Sequence, residues 1–113
     1  MFQQQSVILL HGLNDTANIF KGLRSQLVEW GYDVHVLDLV PSDAQTGLEI
    51  LAEQVAHYVN TQIPDGPLIV IGFSMGGIVG RYYLQRLDVQ QRVNHLITIA
   101  SPHHGSWAAY LHP

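Results

Sequence analysis

Four short apolar runs, spaced by segments with helical periodicity, constrain this chain more than any other feature. They are Ser6–Leu10, Asp33–Val40, Leu68–Ile71 and Asn94–Ala100. Between the first two, Ile19, Leu23 and Leu27 recur every four residues, with Phe20 and Trp30 broadening the apolar face. That spacing predicts a helix from about Ala17 to Trp30, ended by Gly31. Pro41 stops the second run, and Thr46 with Glu49 reads as a capping box opening a second helix to Gln62, with Leu48, Leu51, Val55 and Val59 on one stripe. Pro64-Asp65-Gly66-Pro67 is a turn, and a third helix runs from Met75 to about Leu87. Strands joined by helical crossovers form a parallel sheet with right-handed connections, covered on both faces. The expected class is therefore α/β, with 1–113 as one small domain and no repeat, linker or low-complexity segment.

The third run leads into Gly72-Phe73-Ser74-Met75-Gly76-Gly77. A serine between strand and helix, with glycines two positions before and after it, fits a strained elbow that lifts the hydroxyl above the sheet edge. Gly76, Gly77 and Gly80 let the following helix approach the sheet. The first run ends in His11-Gly12-Leu13-Asn14-Asp15, again a strand passing into a turn. Acyl transfer needs two backbone N–H groups aimed at the developing oxyanion. Met75, directly after Ser74, can supply one, and the loop after a neighbouring strand the other.

With His11-Gly12-Leu13, the elbow, and Ile99-Ala100-Ser101-Pro102-His103-His104-Gly105-Ser106 taken together, the chain resembles the α/β-hydrolase family, in its bacterial lipase and esterase branch. The third segment is similar to the Ser/Thr-Pro-His-x-Gly stretch of many bacterial lipases. The resemblance implies a three-layer sandwich with strand order 2-1-3-4, and a switch point between strands one and three where His11-Gly12-Leu13 meets Ser74. It implies Ser74 as nucleophile, the Leu13 and Met75 amides as oxyanion hole, and His11, Gly12, Gly72, Gly76 and Gly77 as supports. Phe73, Pro102, His103 and His104 become candidates to line the site. The implied substrate is a small-molecule ester or acyl compound, with no cofactor.

In that family a carboxylate and then a histidine follow the serine on later strands. After Ser74 the only acidic residue is Asp88, at the far end of the nucleophile helix. His95 falls at the wrong end of the last strand, and the family treats the position of His103 and His104 as structural or site-lining. The triad is incomplete on this sequence, which reads as the front half of the fold, lacking its C-terminal strands. Three functions follow as expectations: a serine hydrolase of carboxylic esters; a hydrolase remnant that binds acyl compounds or a partner; or half of an assembly completed by another polypeptide. Strand four is then an open apolar edge, so two chains are expected to meet through 96–100 or the 107–111 tail.

The remaining polar residues take structural readings. His35 is an edge-strand residue, His57 a solvated helix position, and Asp15 a helix cap. Asp38 is an alternative acid only if a histidine reaches it. Seven histidines without paired ligand spacing make no metal site, adjacent His103 and His104 being the residual candidates. The five basic residues are scattered and the formal net charge is −4, which argues against nucleic acid. The absence of cysteine excludes a disulfide scaffold. No run reaches the roughly 18 apolar residues of a membrane span, and the start lacks signal-peptide character, so a cytoplasmic location is expected.

Overall fold

The structure, a computed structural model, describes residues 4–12, 20–40 and 47–99. Four parallel strands, β1 (Ser6–Leu10), β2 (Asp33–Leu37), β3 (Leu68–Phe73) and β4 (Val93–Ile99), lie in the order β2-β1-β3-β4. Helices α1 (Lys21–Glu29), α2 (Leu48–Gln62) and α3 (Met75–Tyr82) connect them, and α3 runs on into a π-helical turn, Tyr83–Leu87. The strand order and the extent of β1 are those expected from the sequence.

β1 is buried along its whole length because it is central in a sheet covered on both faces. Its side chains alternate between two cores. Ile8 and Leu10 join Leu51, Val55 and Val59 of α2 and Met75 and Val79 of α3. Val7 and Leu9 join Phe20 and Leu27 on the α1 side. Each fully buried aliphatic side chain contributes about 1.5–3 kcal/mol of transfer free energy. The stripe read on α2 is thus the one that packs.

Several expected boundaries shift. β2 stops at Leu37 rather than Val40 because the next backbone groups leave the ladder. The Leu39 N–H turns to the His11 ring, and the Val40 N–H and carbonyl pair with the Gln54 carboxamide. Gly47 stands at the N-cap of α2 without a side-chain cap bond, and Thr46, expected to open the capping box with Glu49, lies outside the described residues. Trp30 does not broaden the buried face of α1: it is the C-cap and is 66% exposed. Gly31 does end α1, at φ 97°, with its N–H donating to the Val28 carbonyl and that of Tyr32 to Leu27.

Candidate active site

Ser74 sits between the last residue of β3 and the first residue of α3, with φ 57° and ψ −118°. Non-glycine residues rarely adopt such a backbone, and when they do the surroundings must hold it in place. Its N–H donates to the Ile99 carbonyl at 2.7 Å and its carbonyl accepts from the Gly77 N–H at 2.9 Å. The turn is thus tied to β4 on one side and to the first turn of α3 on the other.

The glycines explain why this turn can exist. A side chain on Gly72 would overlap the Gly76 carbonyl oxygen and the Gly77 backbone. On Gly76 it would overlap the Leu10 and His11 carbonyl oxygens. The start of α3 is therefore packed backbone to backbone against the end of β1, which brings the two sequence motifs together. Gly77 lies against Thr98, and Gly80 against Val70 and Leu96.

His11 is buried, and both its ring nitrogens are engaged. Nε2 accepts the Leu39 N–H at 2.8 Å. An amide can only donate, so Nε2 carries no proton, and Nδ1–H donates to the Gly12 carbonyl at 2.9 Å. His11 consequently fixes the loop after β1 and has no free lone pair with which to act as a base. The first amides of α3, Met75 and Gly76, have no acceptor within the helix and stand at its positive end, where an anion is favoured. Met75 itself is buried.

The other polar groups belong elsewhere. The Asp88 carboxylate accepts the Arg92 and Val93 N–H groups at 3.0 and 2.9 Å, capping the start of β4 at the opposite end of the sheet from Ser74. His35 lies on edge strand β2 as expected, but it is not simply solvated: Asp33 Oδ2 is 2.9 Å from Nε2 and the Tyr58 hydroxyl 2.7 Å from Nδ1. Burial and then the Asp33 charge raise the Tyr58 pKa. His57 and His95 are exposed. Phe73 closes β3, half-buried and paired with Ile99. Leu13, Asp15, Pro102, His103, His104 and the 107–111 tail lie outside the described residues. Among the described residues no group of three or more His, Asp or Glu is arranged to hold a metal ion, and no helix is long and apolar enough to cross a membrane.

This arrangement of strand, strained serine turn, glycine-packed helix and braced neighbouring loop coincides with a match over residues 5–111 to the family described as the alpha/beta hydrolase fold. The chain belongs to the α/β-hydrolase family. It is 30% identical over 96 residues to a pimeloyl-[acyl-carrier protein] methyl ester esterase of Proteus mirabilis, an alignment covering 84% of this chain and 36% of that protein. Among solved structures, a Bacillus licheniformis lipase, BlEst2 in its propeptide form, superposes with a TM-score of 0.68 at 28% identity, over 96% of this chain and 24% of the lipase. An α/β-hydrolase from a lagoon-sediment metagenome of Mar Chica, Morocco, MGS-MChE2, superposes with a TM-score of 0.73 at 20% identity, over 96% and 50% of the two chains. This α/β-hydrolase chain therefore spans about a third of the curated relative and between a quarter and a half of these structural neighbours.

Proposed function

We propose that this chain carries the nucleophile half of a serine hydrolase acting on carboxylic esters. The observation that carries this reading is the backbone of Ser74, held at positive φ at the start of α3, where Gly76 packs against the Leu10 and His11 carbonyls at the end of β1. Strain of this kind is maintained only where the structure over-determines it, and it aims a hydroxyl out of the turn. The esterase and lipase named among the similar proteins support the same class of substrate.

In the proposed reaction Ser74 Oγ attacks the ester carbonyl carbon and its proton passes to a base. The Met75 amide and the Leu13 amide hold the oxyanion. Collapse breaks the ester C–O bond, the alcohol leaves with the proton, and water then releases the acid from the acyl-enzyme. His11 and Asp88 are committed to structural bonds, so neither serves as the base or the acid. The test is hydrolysis of p-nitrophenyl esters from acetate to palmitate beside Ser74→Ala. Turnover above the buffer rate that disappears in the variant supports the proposal, and turnover retained by the variant contradicts it.

A second reading rests on β4, the last strand of the sheet among the described residues. Ile97 and Ile99 are 47% and 40% exposed there, an apolar strand at an open edge. We propose that a second copy of this chain pairs with it through this edge. Sedimentation of a well-behaved monomer at tens of micromolar would contradict this, since roughly micromolar affinity is the weakest that matters.

A further inference from the structure

A groove of about 590 Å³ lies between β2, the strand at one edge of the sheet, and α2, which it follows from Ile50 to Gln62. That stretch of helix is about 18 Å long at ~1.5 Å per residue. A strand rises roughly 3.3 Å per residue, so five or six residues of extended chain span about the same length.

The edge carries the backbone groups that such a chain needs. Among the described residues β2 pairs with β1 alone. The Asp33 N–H donates to the Gln5 carbonyl, so the backbone groups of Asp33, His35 and Leu37 face β1. Successive residues of a parallel strand turn these groups to opposite sides, and those of Val34 and Val36 therefore face outward. Further along, the Gln54 carboxamide takes both polar groups of Val40 and closes the end of the open stretch. A row of outward N–H and C=O groups is a template for strand addition.

The side chains of the groove select the strand. Buried Leu37 and Leu39 and exposed Ile50 give it apolar surface, and Tyr58, with its hydroxyl 2.7 Å from His35 Nδ1, is held in its wall. The carboxylates of Asp38 and Glu53 stand exposed beside them, and none of the chain's five lysines and arginines lines the groove. Its fixed charge is negative. A second copy of β2 fits this edge badly, because antiparallel self-pairing of residues 33–38 sets Asp33 of one copy opposite Asp38 of the other. Basic side chains meet no such repulsion.

We propose that this groove binds an extended segment of a partner protein, in which basic residues alternate with apolar ones, and adds it to β2 as a further strand. The basic side chains meet Asp38 and Glu53, and the apolar ones Leu37, Ile50 and Tyr58. The site does not depend on ester hydrolysis at Ser74.

The test titrates the chain with a fluorescein-labelled hexapeptide of alternating lysine and valine, and separately with its glutamate and valine counterpart, following anisotropy and backbone amide chemical shifts. Saturable binding of the lysine peptide alone is expected, with shifts at residues 34–40 and 50–62. Glu53→Lys, at an exposed helix position, should weaken binding at least tenfold, and Glu29→Lys, exposed at the end of α1, less than twofold. Val36→Pro removes an outward N–H without taking a bond from β1, and should weaken binding at least fivefold. Equal affinity for the glutamate peptide, no saturable binding, or equal effects of Glu53→Lys and Glu29→Lys would overturn the proposal, whether or not Val36→Pro folds. So would unchanged affinity in a folded Val36→Pro. A dimer in sedimentation that a folded Val36→Pro takes apart would assign this edge to a second copy and overturn it as well.

Discussion

The Leu39 N–H donates to His11 Nε2 at 2.8 Å, joining the exit of β2 to the residue that follows β1, whose carbonyl lies against Gly76 at the start of α3. One bond thereby sets the tautomer of a buried histidine and ends the β2 ladder. The Nδ1–H it leaves over is spent on the Gly12 carbonyl. His11→Phe would keep the bulk but strand two buried backbone groups, each costing about 1–3 kcal/mol. The expected loss in urea unfolding is about 2–4 kcal/mol, whereas His95→Phe, at an exposed position, should stay within about 0.5 kcal/mol. Equal effects at the two positions would contradict the bracing role.

The close approach of α3 to β1 makes a prediction in glycine. Gly76→Ala drives a Cβ into two carbonyl oxygens that cannot rotate away, and should cost about 1–3 kcal/mol or more. Gly22, inside α1, meets nothing within 4 Å. Gly22→Ala should instead stabilise by about 0.5–1 kcal/mol. Denaturant midpoints of the two variants are expected to move in opposite directions.

The strain at Ser74 separates stability from chemistry. Glycine tolerates φ 57° and ψ −118° better than serine does, so Ser74→Gly should raise the unfolding free energy by about 1 kcal/mol while abolishing any ester cleavage. A variant that is less stable than the parent chain would argue against strain at this turn.

Tyr83 predicts alkaline lability. Its hydroxyl is uncharged when protonated, and burial raises its pKa from 10.0 to about 12 in the folded chain. The unfolded chain releases this proton first. The stabilisation is therefore complete below pH 10, falls between pH 10 and about 12, and is gone above that, with a slope of up to about 1.4 kcal/mol per pH unit. Tyr83→Phe should flatten that part of the stability curve, and an identical decline in both proteins would contradict the assignment.

Much of this fold was legible because its signals are local. β1 is apolar at every position from Val7 to Leu10, and a strand of that kind is buried on both faces. Gly72 and Gly76 announce the elbow around Ser74 because no bulkier residue fits where their backbones meet their neighbours. What escaped the sequence is long-range or geometric. Nothing near Val40 indicates that Leu39 will turn to a histidine 28 residues earlier, or that Gln54 will take both polar groups of Val40. The third helix keeps its apolar spacing through Leu87, which conceals the change from α to π winding at Tyr83. The pairing of His35 with Tyr58 joins a strand to a helix 23 residues on, beyond the reach of periodicity.

The central claim is that Ser74 is the nucleophile, and covalent labelling tests it most directly. The chain would be incubated with a fluorophosphonate, and the modified residue located by peptide mass spectrometry in the parent chain and in Ser74→Ala. The account predicts a single stoichiometric adduct on Ser74 that is absent from the variant. An adduct confined to another residue, or no adduct on a chain shown to be folded by circular dichroism, would contradict it.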